Sequence, residues 1–280
     1  MNQLSALAQL LVATAILADA NTAPLQLGPG FHLSGQVYFT TGARGGLLAI
    51  GMTDGKTLWE THRQARILGV YGNAPLAVVP CEGKLCIARF QARGGREIWQ
   101  SPPLPLPDFA PAAASMLEAA TPLGSIYLHD TPPASTAIRY VGAEDGPLLF
   151  HLACRSKYWK GVPPRPGDPV GQRHFAEIQL DPETGALTVL SQQSHTLLHG
   201  QPSPADPWQK SVPQLLASIP ASWQDPSGIR YQVTAGDRLD DKQGCCDRQQ
   251  ITLRAVGPTG SLLWDRALAP IVTRKFPVPQ

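Results

Sequence analysis

The chain has 280 residues, with 26 glycines, 28 prolines and only 16% charged residues. That composition suits many short strands joined by turns and excludes a helical bundle. A formal net charge of +2, with no Lys/Arg cluster interleaved with aromatics, excludes nucleic acid or an anionic membrane as a charge-driven partner.

From the N-terminus, Leu4 to Ala18 form an apolar run, and Ala18-Asp19-Ala20 offers small residues at cleavage positions. Residues 1–20 are therefore expected to be a secretory signal peptide. The run is too short to anchor stably across a bilayer, so no integral span is expected after cleavage. The basic n-region is missing, since Asn2 and Gln3 carry no charge, and an uncleaved anchor or a mis-called start is the alternative. Residues 21–35 form an exposed lead-in that can supply an outer strand. Residues 36–60 hold a first hairpin, preceded by the strand Val37-Tyr38-Phe39, and residues 66–100 hold a second unit. Residues 102–111 (PPLPLPDFAP) are expected as an extended, exposed connection, with a short helix over 112–120. Residues 126–129 and 137–141 begin a third unit. A basic, Pro-rich insertion spans 155–172, and a fourth hairpin spans 174–190. Residues 193–227 read as irregular, with a short helix over 210–218. Strand returns at 228–234, and 251–264 ends the series. The domain layout is thus 1–20 signal, 21–35 lead-in, 36–270 one repeat domain, and 271–280 an exposed tail.

One grammar recurs five times: a strand-like apolar run, a tight turn ending in Gly, and a short run closing on a bulky residue. The copies are Ala49-IGMTDGKTL-Trp59, Arg89-FQARGGREI-Trp99, Tyr140-VGAEDGPLL-Phe150, Gln179-LDPETGALT-Val189 and Arg254-AVGPTGSLL-Trp264. Their turn glycines are Gly55, Gly95, Gly146, Gly185 and Gly260. Gly accepts φ > 0 without steric cost, so each copy reads as a β-hairpin. One hairpin cannot bury its apolar face alone, but four-stranded sheets arranged radially can. The turns are 40, 51, 39 and 75 residues apart, and a four-stranded blade needs roughly 40–50 residues. The fold expected is all-β: a β-propeller of roughly five to seven four-stranded blades, with an irregular or incomplete ring allowed. The long last gap leaves room for a degenerate blade.

The grammar resembles the tryptophan-docking motif of quinoprotein-type (pyrroloquinoline-quinone-like) propellers, Ala-x-Asp-x-x-Thr-Gly-x-x-x-Trp. Ala49, Gly55 and Trp59 match it in the first copy, Asp181, Thr184 and Gly185 in the fourth, and Thr259, Gly260 and Trp264 in the fifth. No copy is complete, and Val189 stands where the fourth Trp belongs. The resemblance covers residues 36–270 and implies structural docking by Trp59, Trp99, Phe150 and Trp264. Enzymes of that family need an axial cavity, a metal site and a general-base carboxylate. No Glu-Asn-Asp metal set is assignable here, so neither quinone (PQQ) nor calcium is expected as a cofactor and no catalytic residue is assigned.

Five cysteines fit an oxidising compartment, with one left over. Cys81 and Cys86 flank a hairpin turn at 82–85 and are candidates for a disulfide. Cys245 and Cys246 are adjacent. Either one of them bonds Cys154, or they form a vicinal disulfide, as in some quinoprotein dehydrogenases, or they serve a metal or other use.

Other chemistry finds little support. Asp237 to Asp241 with Asp247 lack the D-x-D-x-D-G spacing of a calcium loop and read as a solvated loop. His195 and His199 are spaced i, i+4 for zinc on a helix, but Ser194, Gly200 and Pro202 argue against the helix. His62, His129, His151 and His174 read as surface or core polar groups. There is no G-x-S-x-G elbow and no phosphate-binding glycine loop. Recognition remains, carried on loops. The 155–172 insertion offers Arg155, Tyr158, Trp159 and Arg165, the composition of interface anchors. The expected function is an exported, non-catalytic module, periplasmic or secreted, that binds another envelope or secreted protein. The alternatives are a quinone- or small-ligand-binding propeller, and a carbohydrate or cell-wall binder using Trp159 or Trp208. Trp159→Ala is expected to weaken partner binding without lowering the melting temperature. A large thermal loss would instead assign that ring to packing.

Overall fold

The computed structural model describes residues 25–27, 30–33, 36–42, 44–110, 125–129, 134–140, 147–157, 163–205, 221–239 and 246–274. These form strands and turns, and among them there is no helix. The helices expected over 112–120 and 210–218, and the signal segment 1–20, lie outside the described residues.

Among the described residues eighteen strands build four antiparallel sheets, each in up-and-down order. The first sheet runs β1 (Leu25–Leu27), β2 (Gly30–Leu33), β3 (Val37–Thr41), β4 (Gly46–Gly51) and β5 (Thr57–Gln64). The second runs β6 (Arg66–Tyr71), β7 (Ala74–Cys81), β8 (Lys84–Phe90) and β9 (Glu97–Gln100). The third runs β10 (Ser125–His129), β11 (Ala134–Tyr140), β12 (Leu148–Lys157), β13 (Pro169–Leu180) and β14 (Leu187–Leu198). The fourth runs β15 (Ala221–Gln224), β16 (Arg230–Leu239), β17 (Cys246–Val256) and β18 (Leu262–Arg274). The lead-in thus supplies two strands to the first sheet, and strand continues past residue 270, into the expected tail.

Among the described residues the five turn copies therefore yield four sheets, fewer than the five to seven blades expected. The third copy joins β11 to β12 and the fourth joins β13 to β14, all within the third sheet. Gly-containing turns mark hairpins, and a hairpin inside a sheet looks like one that ends it. Phe150 consequently lies on an inner strand, fully buried and paired with Tyr140 and Ile178. It fills the core rather than closing an outer strand.

The core divides into three clusters, and each joins two sheets. Phe39, Leu47 and Ala49 pack with Ala77, Val79 and Ala88, linking the first sheet to the second. Leu76, Leu85 and Ile87 pack with Phe150, Leu152 and Ile178, linking the second to the third. Tyr38, Ile50 and Met52 pack with Val233, Ile251 and Leu253, linking the first to the fourth. The order of contact is fourth, first, second, third. Among the described residues no such cluster joins the third sheet to the fourth.

A tryptophan crosses each of these three seams. Trp59 covers Gly95, Trp99 covers Gly185 and Trp264 covers Gly55. A Cβ added at those glycines would lie 2.5, 2.7 and 2.7 Å from the indole ring. All three glycines hold positive φ, at 65°, 75° and 69°. Gly is required twice at each place, for backbone conformation and for ring clearance. Each indole also donates one hydrogen bond into the neighbouring turn: Trp59 Nε1 to the Ala92 carbonyl (2.7 Å), Trp99 to Pro182 (2.8 Å) and Trp264 to Met52 (3.2 Å). The acceptor is always the residue three before the covered glycine. The N–H is thereby satisfied as the ring is buried.

The strand ahead of each Trp aims it. Leu58, Ile98 and Leu263 are bulge residues, skipped by the ladders that pair Ala49 with Trp59, Arg89 with Trp99 and Ala255 with Trp264. A bulge bends its strand and re-aims the next side chain. An arginine lies at each seam as well. Arg266 donates to the Gly55 carbonyl (2.8 Å) and to Thr57 Oγ1 (2.6 Å). Arg89 donates to the Pro182 carbonyl (2.8 Å), and Arg63 meets Glu97 at 3.0 Å.

The Pro-rich connection is not the exposed strap expected. Leu104 is buried, and its N–H bonds the Leu85 carbonyl at 2.8 Å. Ser101 is also buried, its hydroxyl accepting from Ile87 N–H (3.0 Å) and donating to the Pro102 carbonyl (2.7 Å). Apolar side chains between the prolines give this segment a face to bury. Cys81 and Cys86 form a disulfide across a turn tighter than expected. Glu82 and Gly83 alone make it, at φ 47° and 76°, with Cys81 opposite Lys84.

Gly95→Ala adds a Cβ against the Trp59 ring and forces a left-handed alanine. It is expected to cost at least about 2 kcal/mol, more than an unstrained Gly→Ala change on the surface. Urea unfolding of Gly95→Ala beside Gly94→Ala separates strain from contact. Both glycines hold positive φ, but a Cβ at Gly94 meets nothing within 4 Å.

Candidate functional site

The fourth turn copy is hydrogen-bonded like the first but presents no tryptophan. Asp181 Oδ1 accepts from the N–H groups of Glu183 (2.8 Å) and Thr184 (3.0 Å), and Thr184 Oγ1 accepts from Ala186 N–H (3.2 Å). This is the work of Asp and Thr in the motif: they shape the turn on which Trp99 rests. These backbone bonds hold the Asp181 carboxyl below the ordinary carboxylate range. Val189 follows at the Trp position and is 40% exposed. The bulge has moved beyond it, to Leu190, which is 49% exposed.

The turn at Gly260 is uncovered. Among the described residues no atom lies within 4 Å of a Cβ placed there, although φ is 85°. Its hydrogen bonding differs too. In the first and fourth copies, Gly55 and Gly185 donate to Gly51 and Asp181, four residues back. That leaves the carbonyl three residues back for an indole. Gly260 instead donates to Gly257, three residues back, at 2.9 Å. Pro258 inside this turn suits the shorter form. Val189 stands at the Trp position of β14, and the turn after β17 is hydrogen-bonded differently from the first and fourth copies.

A second feature is an open groove of about 780 Å³ on the third sheet. One wall is Pro105, Leu106, Pro107 and Phe109, held down by the buried Leu104, with Asp108 beside them. The other is the face shared by β13 and β14: Gln172, His174, Gln192, Ser194 and Thr196. Thr196 is opposite Gln172, Ser194 opposite His174, and Gln192 opposite Ala176. Strand alternation puts these side chains on one surface. His174 is 6% exposed and shares a 2.8 Å hydrogen bond through Nδ1 with Ser194 Oγ. Burial lowers its pKa, so the imidazole is neutral at pH 7. His195 also lines the groove and packs edge-on against Phe175.

The candidate residues named from sequence fall differently. Trp59, Trp99, Trp264, Gly55, Gly95 and Gly185 form the three seams, and Gly260 stands open. Gly146, Tyr158, Trp159, Cys245 and Trp208 lie outside the described residues. Arg155 is on β12, exposed and paired with Arg173, so the insertion begins inside a strand. Arg165 sits in the β12–β13 turn, its N–H bonded to Asp168 Oδ2 at 2.8 Å. Cys154 is buried on β12, and Cys246 begins β17. His195 and His199 share no helix: His195 is on β14 and His199 follows its end. Asp237 lies in strand β16, not in a loop. Among the described residues, no three His, Cys, Asp or Glu side chains converge as metal ligands would. Sequence reading passed over the groove. Its signal was the alternation Gln192-x-Ser194-x-Thr196 beside Gln172-x-His174.

No family description and no curated protein matches the chain. Solved structures similar to it include a europium-containing methanol dehydrogenase, 11% identical, covering 92% of this chain and 71% of that one at a TM-score of 0.25. BamB from Moraxella catarrhalis is 11% identical, covering 84% and 74% at 0.24. The computationally designed Ika8 protein is 9% identical, covering 84% and 85% at 0.23. At these scores none of the three carries an argument about this chain.

The buried histidine makes a pH prediction. Folded His174 releases its proton below the ordinary imidazole value of 6.5. Just below that value the unfolded chain binds more protons than the folded one, so stability falls as pH drops through it. His174→Gln is expected to flatten this part of the curve, read as urea midpoints from pH 7 downward. An unchanged slope would remove His174 as its source.

Proposed function

We propose that the chain is an exported, propeller-type recognition module, related to quinoprotein-like propellers, whose protein partner packs where the third and fourth sheets lack a tryptophan seam. The observation that carries the reading is the exposed pair Val189 and Leu190 on β14, at the position that elsewhere presents a docked indole. Three seams cover their turns with Trp, and the Gly260 turn has no cover within 4 Å. An apolar outer strand left in this state is a surface that a second chain can bury.

The partner is a protein presenting an extended apolar segment to the outer strand, because both features offered, strand edge and apolar side chains, suit such a segment. Export is supported by the Leu4–Ala18 run with its small-residue boundary and by the Cys81–Cys86 disulfide. The partner is accordingly sought in the cell envelope or the secreted fraction.

Crosslinked capture from an envelope extract, followed by titration of the purified partner, tests this. A Val189→Asp/Leu190→Asp double variant should lose at least about tenfold in affinity, the scale of one interface hot spot. Leu58→Asp, an equally exposed bulge residue at a filled seam, should change it less than about twofold. Equal effects from the two variants would refute the assigned surface.

A further inference from the structure

We propose that the groove between residues 105–109 and the β13–β14 face binds a neutral oligosaccharide. This surface is separate from the Val189–Leu190 edge, and the inference does not rest on the partner reading.

Three facts on the two walls point to that ligand class. The first is the balance of donors and acceptors. Gln172 and Gln192 each offer a carbonyl and an amide, and Ser194 and Thr196 each offer a hydroxyl. Such groups both give and accept hydrogen bonds, as sugar hydroxyls do. The second is their order. They stand on one face in successive rungs two residues apart, about 7 Å per step along a strand. A chain of sugar rings laid along β14 would meet a fresh polar group at each step. Ala176 opposite Gln192 leaves space beside that amide. The third is the opposing wall. Phe109 and Leu106 are only half-buried and present apolar surface to the groove. Sugar rings carry C–H faces that bury well against such side chains, while their rims hydrogen-bond.

Charge narrows the choice. Among the described residues that line the groove, Asp108 alone carries a carboxylate, and none is Lys or Arg. A phosphorylated or uronic ligand would find no Lys or Arg among them. His174 adds none at pH 7, since its burial favours the neutral ring. Through its bond to Ser194 it fixes that hydroxyl on the groove face.

The test is calorimetric titration of the full chain with tetrasaccharides of β-1,4-linked N-acetylglucosamine, β-1,4-linked glucose and α-1,4-linked glucose, beside a proline-rich decapeptide. Saturable binding of at least one saccharide is expected. A Gln192→Ala/Thr196→Ala double variant should weaken it at least about tenfold, as for loss of two hydrogen bonds. Both residues are exposed on an outer strand, and circular dichroism will show the variant's fold. No saccharide binding, binding of the peptide alone, or a loss smaller than tenfold in the folded variant would each overturn the proposal.

Discussion

The indole ring lying flat on a glycine of the next sheet is the contact on which the rest of this molecule depends. Each sheet is too small to hide its own apolar face. The Trp supplies the largest apolar surface available and ends in an N–H that must be paired. Placing it over a turn solves both needs. The ring covers a glycine with no side chain in the way, and the N–H finds a carbonyl that the turn leaves unused. Loss of a fully buried Trp costs roughly 3–5 kcal/mol; these half-buried rings contribute less each, against roughly 5–15 kcal/mol for a whole domain. Three such seams are therefore a large share of what keeps four sheets together.

The seam also sets demands on its own sheet. The ladder must slip by one residue just before the Trp, and it does so at Leu58, Ile98 and Leu263. The slipped residue is left pointing at solvent, which explains why large apolar side chains stand exposed there. They are the geometric counterpart of the docked ring. At the fourth copy the slip falls after Val189, at Leu190. Restoring a Trp at 189 would therefore not by itself restore a seam, because the bulge is misplaced and the Gly257 carbonyl already accepts from Gly260.

Much of this was written plainly in the chain. Gly-to-Trp spacing marks the hairpins, and Trp59, Trp99 and Trp264 stand out in it. What could not be read was which hairpins end a sheet. Tyr140–Phe150 obeys the same grammar as Ala49–Trp59, yet it lies inside the third sheet, where Phe150 fills a core. The distinction depends on strand order, a nonlocal property. The groove was hidden for the same reason: Phe109 and Ser194 are 85 residues apart in sequence. The prolines of 102–111 also concealed Leu104, whose burial fixes the groove wall. Proline composition reports a missing N–H and a restricted φ; it says nothing of where the leucines between the prolines point.

The outer strand of the third sheet departs from the pattern of the others. The first two sheets have short outer strands, β5 and β9, whose tryptophans are spent on neighbours. The third sheet has a 12-residue outer strand whose Trp position is a valine. Its lower half exposes Val189 and Leu190, and its upper half carries the polar rungs of the groove. A side chain committed to a seam cannot also meet a ligand, because the seam buries it. Release from docking is what leaves β14 available along its whole length. Val189 at the Trp position leaves an apolar pair exposed at one end of β14, and the polar rungs of the groove lie apart from it, further along the same strand.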